Sequence, residues 1–442
     1  MPFHRGLLGH ERRPLPYTRP EHVRLALEDL GATFVKLGQI ASTRGDLLPV
    51  EYQVELARLQ DSAPAEATGR IRAVVAEELG GSVASHFASF DDIPLAAASI
   101  GQVHGATLLD GTPVVVKVRR PGVVEKVNLD LDLLGDLAAE AARHWQPAAR
   151  LDVVELVREF TDTLRSEVDY RREAVNARRI AANLAFRTDV HVPRIHGDLS
   201  TARVLTMERI DGVKLGDLAA LDAAGIDRVD LARRAASMTL HMVFVDGFFH
   251  ADPHPGNVLA ESDGRIALLD FGMVGSVDSA TRRRLVMALV AAAGHDREGL
   301  VDALDGLGVT GPDVDRTALG VDLGEVVERL DRPLADVAVG SLLGELVGVL
   351  RRQHLRLPPS LALLVKTIAM CEGVGASLDP GFRLMEVLAP FAAQLLAPPL
   401  PLPAASAPKP EPGPAEPAAP ARAPTAPTAP TDPSLPSPGG NQ

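Results

Sequence analysis

The feature that most constrains this chain is the segment His250-Ala251-Asp252-Pro253-His254-Pro255-Gly256-Asn257, followed by Asp270-Phe271-Gly272. Between them, Asp263-Gly264 is a turn signal, so a hairpin is predicted to return the chain towards Asp252. Phosphoryl transfer from a nucleotide needs a carboxylate that orients the acceptor and oxygen ligands for Mg²⁺. Asp252 can supply the first, and Asn257 with Asp270 the second. Asp-Phe-Gly alone is common by chance; the joint spacing predicts a phosphoryl-transfer site rather than a surface loop with two unrelated acids.

A second element lies upstream, where one lysine interrupts the apolar run Val114-Val115-Val116-Lys117-Val118. Such a lysine either points to solvent at a sheet edge or reaches nucleotide phosphates, and the downstream motif favours the phosphates. It needs a carboxylate to hold it, and Glu167, Asp169 and Glu173 are the candidates. Spacing alone does not choose among them, and the interleaved arginines also fit a solvated helix face with ion pairs.

The order of apolar spacings and turn signals predicts an α+β fold. A sheet-rich lobe beside a helical lobe is one way to build this order. The predicted elements are helices over 21–80, strands near Val103 and at 114–118 joined by a turn at Asp110-Gly111, helices at 122–144 and 151–185, strands at 192–195 and 203–207, a helix at 228–247, and helices over 278–396.

Charge and cysteine content exclude several function classes. The net charge of −13 argues against a broad nucleic-acid-binding surface. A single cysteine, Cys371, excludes an internal disulfide and a cysteine-based zinc site, and its apolar context predicts core packing. The N-terminus lacks the apolar block of a secretory signal, and the longest apolar run, Leu357–Met370, is interrupted by Lys366. We expect a cytoplasmic protein that contacts a membrane, if at all, only at its surface.

The composition changes near Ala397. Beyond it the chain consists mostly of Pro, Ala, Ser and Thr, with too few large apolar groups to offset the entropy lost on ordering. The tail is predicted to be a disordered spacer, with a docking segment for a protein partner as the alternative.

Several ordered motifs resemble those of the UbiB-type atypical kinases, also called the aarF-domain kinase family. They are Lys36-Leu37-Gly38-Gln39, the alanine-rich loop Ala96 to His104, Lys117 with Arg119-Arg120-Pro121-Gly122, Glu167-Val168-Asp169, and the 250–257 loop with Asp270-Phe271-Gly272. The resemblance covers roughly residues 20 to 390. It implies a two-lobed protein-kinase-like fold with an N-terminal helical extension and a large helical C-terminal lobe. The expected divisions are an arm at 1–20, the extension at 21–80, an N-lobe at 81–210, a C-lobe at 211–397 and the tail at 398–442.

The resemblance also implies catalytic roles. Lys117 would pair with the α- and β-phosphates, with Glu173 as its helix partner. Asp252 would be the catalytic-loop aspartate. Asn257 and Asp270 would be the magnesium ligands.

Nucleotide-binding and regulatory residues follow from the same resemblance. Ala97, Ala98 and Ser99 belong to the loop that replaces the kinase glycine-rich loop, and Met207 and Glu208 sit where the adenine hinge is expected. Three alanines limit backbone approach to phosphates, which predicts altered nucleotide preference or slower transfer. Lys36 and Gln39 would dock over the active site, with Lys36 facing Glu167 and Asp169.

The function that the resemblance implies is an ATP- and Mg²⁺-dependent kinase or ATPase supporting isoprenoid-quinone (ubiquinone-like) or other lipid metabolism. Its ligands would be ATP or ADP with Mg²⁺, and a lipid or quinone precursor at a membrane surface, without nucleic acid. The alternatives are a nucleotide-regulated binding protein without significant turnover and a kinase for a small metabolite. Many bacterial relatives end in membrane-spanning helices where this chain has its Pro/Ala tail, which argues against integral anchoring.

Overall fold

The computed structural model describes residues 17–59, 63–146, 148, 152–311, 314–328 and 338–396. The arm predicted at residues 1–20 lies mostly outside the described residues, and the tail at 398–442 lies wholly outside them. The domain boundaries drawn from the sequence therefore stay predictions at both ends.

Short helices precede the first sheet. The first begins at a capping box in which Thr18 and Glu21 each satisfy a backbone N–H of the other. These helices are α1 (Arg19–Leu30), α2 (Ala32–Ser42), α3 (Val50–Leu56), α4 (Thr68–Leu79) and α5 (Val83–His86).

A five-stranded antiparallel sheet follows, in the order β1-β3-β4-β6 with β2 paired to β3. Asp110 and Gly111 (φ 88°) form the turn between β3 and β4, as the sequence predicts. Val114, Val116 and Val118 are fully buried against α4, so Lys117 lies on the other face of β4. The strands are β1 (Phe87–Phe90), β2 (Ala96–Ala97), β3 (Gly101–Leu108), β4 (Pro113–Arg119) and β6 (Val204–Glu208).

A buried histidine stabilises this sheet. His104 on β3 is fully buried; its Nδ1 donates to the Asp91 carbonyl oxygen at 2.7 Å and its Nε2 accepts from the Gln102 amide at 2.7 Å. Each ring nitrogen of the neutral imidazole thus has a hydrogen-bond partner, and burial lowers the pKa of the ring.

Three helices connect β4 to the rest of the chain. They are α6 (Val123–His144), α7 (Val153–Glu167) and α8 (Tyr170–Asn183). The sequence predicted one helix over 151–185, which is wrong in one respect. The chain breaks at Val168 and Asp169 because the Asp169 carboxylate accepts from the backbone N–H of Arg171 and starts a new helix.

Two small sheets lie in the second half. One has the order β5-β10-β9-β7, and the other pairs β8 with β11. The strand predicted at 192–195 is displaced to 190–191, while Ile195 only bridges to Met207. The strands are β5 (Val190–His191), β7 (Val213–Lys214), β8 (Phe248–His250), β9 (Val258–Ala260), β10 (Ile266–Leu268) and β11 (Val274–Ser276).

The remaining helices enclose the largest apolar core of the described residues. The helix predicted at 228–247 is α-helical only to His241 and continues as a π-helical turn over Met242–Asp246. The helices are α9 (Leu218–Ala223), α10 (Arg228–His241), α11 (Ser279–Ala293), α12 (Arg297–Gly306), α13 (Arg316–Glu328), α14 (Val339–Arg352), α15 (Pro359–Leu378) and α16 (Leu384–Leu396).

Helix α15 is the one described helix long and apolar enough, by length and composition alone, to cross a membrane. Half of its most apolar window is buried inside this structure, and core helices of soluble proteins share that property. It packs against α10 and α14, and Leu361, Leu364 and Ile368 belong to the core. The α+β class with a large helical part is confirmed.

Candidate active site

Lys117 lies at the centre of a charged cluster formed by three separate elements. Its Nζ is 2.8 and 2.9 Å from the two carboxylate oxygens of Glu173 on α8, and 3.4 Å from Oδ2 of Asp270 after β10. The Lys117 ammonium also lies 5.2 Å from the centre of the Tyr170 ring. Among the three carboxylates that spacing left open, the structure thus pairs Lys117 with Glu173.

Lys117 and Asp270 hold each other in the ionised form, whereas burial raises the pKa of Glu173. Burial lowers the pKa of the Lys117 ammonium, but Asp270 and Glu173 raise it by more, so the lysine stays charged. Burial raises the pKa of Asp270, but Lys117 and the N–H of Gly272 outweigh it and hold the pKa at about 2. Asp270 is therefore ionised at any pH near neutrality and could act as an oxygen ligand.

His250 connects the Asp252 loop with Asp270. The N–H of Asp252 donates to its Nδ1 at 3.2 Å, so the proton is on Nε2, which donates to the backbone oxygen of Asp270. Burial lowers the pKa of this ring and keeps it neutral. One imidazole thus fixes the separation of two residues that lie 18 positions apart in the sequence.

Asn257 holds Asp252 from within the loop. Its Nδ2 donates to Oδ2 of Asp252 at 3.0 Å and to the backbone oxygen of Asp252 at 3.2 Å. This leaves Oδ1 of Asn257 as a potential ligand. The described residues contain no cluster of three or more His, Cys, Asp or Glu side chains that could hold a metal alone.

The donor set nevertheless fits Mg²⁺ bound together with a nucleotide. Mg²⁺ prefers oxygen ligands and usually takes one or two from protein and the rest from phosphates and water. The amide oxygen of Asn257 and the ionised carboxylate of Asp270 are such ligands.

Lys366 is the residue that sequence reasoning missed. It lies on α15, and its Nζ is 2.9 Å from Oδ1 of Asp252. In the sequence it was only the charge that interrupts an apolar run. A lone lysine within a core-forming helix was the available signal, because such a charge must find a partner.

The alanine-rich loop lies beside β3. Ala97 pairs with Gln102 in the short β2–β3 ladder, and the N–H of Ala98 donates to Gly101. Arg120 Nε donates to the Ala98 carbonyl oxygen at 2.7 Å, which fixes the loop against the end of β4. Ser99 follows, half-buried.

Met207 and Glu208 end β6 at the passage from the first sheet to the second half of the chain. Met207 is buried against Tyr170 and pairs with Val115 of β4, two positions before Lys117 on that strand. The Glu208 carboxylate accepts from the N–H of Arg194 at 3.0 Å. This position suits a connection between two lobes.

The motif at 36–39 lies on α2. Lys36 Nζ is 2.6 Å from the Glu167 carboxylate, and Gln39 Nε2 donates to the Leu59 oxygen at 3.1 Å. A Cβ at Gly38 would collide with the Leu59 side chain, which explains the glycine. Asp169, expected beside Lys36, forms its ion pair with Arg171 at 2.8 Å.

A buried ionic group, which we call the Arg44 latch, anchors the residues after α2. Arg44 donates to both oxygens of Asp46 at 2.8 and 2.9 Å and to Glu159 on α7 at 3.0 Å. Asp46 also accepts from the N–H of Leu357 at 3.3 Å, just before α15. The latch therefore joins the extension to α7 and to the segment that carries Lys366.

Comparison with known families and structures identifies the family to which this chain belongs. Residues 58–304 match the model of the ABC1 atypical kinase-like domain, and residues 325–383 match the UbiB helical domain. These matches confirm the family resemblance read from the motifs and the kinase-like fold class.

Relatives of this chain cover most of its length. A protein of Synechocystis sp. named as uncharacterized (sll1770) is 36% identical over 85% of this chain and 64% of its own length. The "Probable protein kinase UbiB" of Marinobacter nauticus is 36% identical over 85% of this chain and 69% of its own. The chain thus spans about two thirds of these relatives. The solved erythromycin complex of Rv3197 from Mycobacterium tuberculosis is 25% identical with a TM-score of 0.57, covering 84% of this chain and 94% of that one.

Proposed function

The chain belongs to the ABC1/UbiB family of atypical kinase-like proteins, and on that premise we propose that it binds ATP with Mg²⁺ and transfers or hydrolyses the terminal phosphoryl group. The observation that carries this proposal is the joint placement of Asp252, Asn257 and Asp270 around His250, beside the Lys117–Glu173 pair. Such a set supplies what phosphoryl transfer needs, which is positioning and charge stabilisation.

Each side chain has a defined task in this proposal. Lys117, held by Glu173, contacts the α- and β-phosphates of ATP. Asn257 and Asp270 would hold Mg²⁺, which when bound neutralises charge on the phosphate oxygens. Asp252 accepts a hydrogen bond from the attacking water or hydroxyl and orients its oxygen towards the γ-phosphorus. As the new P–O bond forms, the bond to the ADP oxygen breaks and the acceptor proton passes through Asp252 to solvent.

Further residues would place the nucleotide. We assign Ala97, Ala98 and Ser99 to the phosphate-covering loop and Met207 with Glu208 to the adenine side. Lys36 and Gln39 lie on α2. The positive charge of Lys36 lowers the pKa of Asp270, which indicates that α2 lies near the cluster. An extension in this place restricts access by a folded protein substrate and favours water or a small acceptor.

The acceptor class is proposed from family membership. We place the activity in isoprenoid-quinone or other lipid metabolism, with contact at a membrane surface. The Marinobacter relative carries the name of a probable protein kinase, so a protein acceptor is the competing assignment.

A second function is compatible with the same site. Both Asp252 oxygens are engaged here, Oδ1 by Lys366 and Oδ2 by Asn257. A nucleotide-regulated binding protein, in which ATP alters the pose of the extension without turnover, would tolerate that arrangement.

The deciding experiment measures Mg²⁺-dependent ATP hydrolysis by the full chain, without lipid and with phosphatidylglycerol or phosphatidylcholine vesicles. Asp252→Asn is compared with Asp263→Asn, a matched change at an exposed hairpin aspartate. We expect turnover that Asp252→Asn abolishes, that Asp263→Asn leaves intact, and that phosphatidylglycerol raises. ATP binding without any Asp252-dependent turnover would refute the enzyme assignment and favour the binding protein.

A further inference from the structure

Helix α15 contacts the catalytic loop at two successive residues. Lys366 Nζ donates to Oδ1 of Asp252 at 2.9 Å. Thr367 Oγ1 donates to the Leu363 oxygen within the helix at 2.8 Å and lies 3.4 Å from the backbone oxygen of Ala251. Thr367 is fully buried, so this contact is part of the packed interior. The helix lies within residues 325–383, which match the UbiB helical domain rather than the kinase-like domain.

A lysine at this place is costly unless it has a partner. The Lys366 side chain is 18% exposed, and the helix around it is otherwise almost wholly apolar. An ammonium so placed loses hydration, which an ion pair with hydrogen-bonding geometry offsets. Its second described contact is the Met273 sulfur at 3.8 Å, a weak acceptor. The Asp252 carboxylate is therefore the group that offsets the cost of burying this ammonium.

The loop itself contains no lysine or arginine between His250 and Asn257. A cation beside the catalytic carboxylate must therefore come from another element, and α15 provides it. With Lys366 on Oδ1 and Asn257 on Oδ2, rotation of the carboxylate is restrained at both oxygens. Each oxygen keeps a further lone pair that can accept from an incoming hydroxyl or water.

We propose that Lys366 is a positioning residue for phosphoryl transfer, acting through Asp252 by fixing the orientation of its carboxylate. The inference rests on the proposed function and makes the helical domain a contributor to the active site. It predicts that Lys366 affects the chemical step and leaves ATP binding nearly unchanged, because the nucleotide contacts belong to Lys117, Asn257 and Asp270.

The experiment compares Lys366→Met and Lys366→Arg with wild type in the full chain. Methionine keeps the length and removes the charge, whereas arginine keeps the charge. Lys126→Met, at an exposed lysine on α6, is the matched control. We expect Lys366→Met to lower kcat about 10²-fold, as for other small misplacements of a catalytic group. The KM for ATP should stay within twofold, and Lys366→Arg should recover part of the loss.

A second measurement does not depend on activity. Thermal unfolding midpoints are compared for Lys366→Met, Asp252→Asn and the double variant. Because either single change leaves an unpaired partner, the double variant should melt no lower than the less stable single variant.

The outcomes separate this inference from the proposed function. Additive losses of melting temperature would overturn the pairing. Wild-type kcat in Lys366→Met, with Asp252→Asn inactive, would overturn the positioning role and leave the proposed function intact. A parallel rise in the KM for ATP would assign Lys366 to binding and also overturn it. No Asp252-dependent turnover in wild type would refute the proposed function and the catalytic part of the inference, while the melting pattern would still test the pair.

Discussion

Removing Arg44 should release the extension locally without unfolding the kinase-like core. In the Arg44 latch, the Asp46 side chain is fully buried and the Arg44 side chain is 10% exposed. Among the described residues, Arg44→Met leaves the Asp46 carboxylate with the N–H of Leu357 as its remaining hydrogen-bond donor. Breaking a buried ion pair by removing one partner costs about 3–5 kcal/mol.

That free energy converts into a change in hydrogen exchange. At about 1.4 kcal/mol per factor of ten, amides of residues 33–48 should lose protection by about 10²- to 10⁴-fold. Amides of β3 and β4 should keep theirs, because their hydrogen bonds lie within the five-stranded sheet. Exchange measured by mass spectrometry on peptides from both regions tests this.

Two variants make the test specific. Arg58→Met removes an arginine whose side chain is 64% exposed and which pairs with Glu55, so its cost should stay below about 1 kcal/mol. Arg44→Met combined with Asp46→Leu removes both charges and should restore most of the protection. A loss below about fivefold in Arg44→Met, or an equal loss in the double variant, would refute the reasoning, since about 1 kcal/mol already gives fivefold.

Glu173→Gln should weaken MgATP binding about 10- to 100-fold, because Lys117 loses a charge-assisted hydrogen bond. Calorimetry tests this with Glu77→Gln, at an exposed glutamate, as the control, and an unchanged affinity would contradict the role proposed for the Lys117–Glu173 pair. Burial lowers the pKa of His104, so the ring is neutral in the folded state. Below pH about 6.5 the unfolded state takes up a proton that the folded state does not, and the free energy of unfolding falls by up to about 1.4 kcal/mol per pH unit. Denaturation at pH 7 and pH 5.5 should therefore show a smaller loss for His104→Gln than for wild type, and equal losses would refute this account. Burial raises the pKa of the Cys371 thiol to about 12, so iodoacetamide should label it at neutral pH only after denaturation; rapid labelling of the native protein, read by mass spectrometry, would exclude the buried position.

The sequence predicted those parts of the site that local spacing and ordered motifs determine. Asp252, Asn257 and Asp270 lie on one loop and one hairpin, so a turn at Asp263-Gly264 suffices to bring them together. Lys117 was assigned to a strand because of the valines around it and to phosphates because of the downstream motif, and the resemblance rather than the spacing singled out Glu173.

The remaining features depend on tertiary packing. Lys366 lies 114 positions from Asp252, and nothing local indicates which group an interior lysine meets. The break between α7 and α8 was missed because apolar spacing continues through it, while one carboxylate of Asp169 caps the second helix. The Arg44 latch was missed for the same reason, since Leu357 is 311 positions from Asp46.

The extension described above also has a kinetic consequence. It is bound to α7 through the Lys36–Glu167 and Arg44–Glu159 pairs and to the segment before α15 through Asp46, in addition to direct contacts between the two halves such as Lys117 with Asp270. Separating the sheet that carries Lys117 from the loop that carries Asp252 would therefore require these ion pairs to break as well. Under the proposed function, release of a bound nucleotide is expected to depend on the breakage of these pairs, and a variant that loosens them should shorten the residence time of the nucleotide.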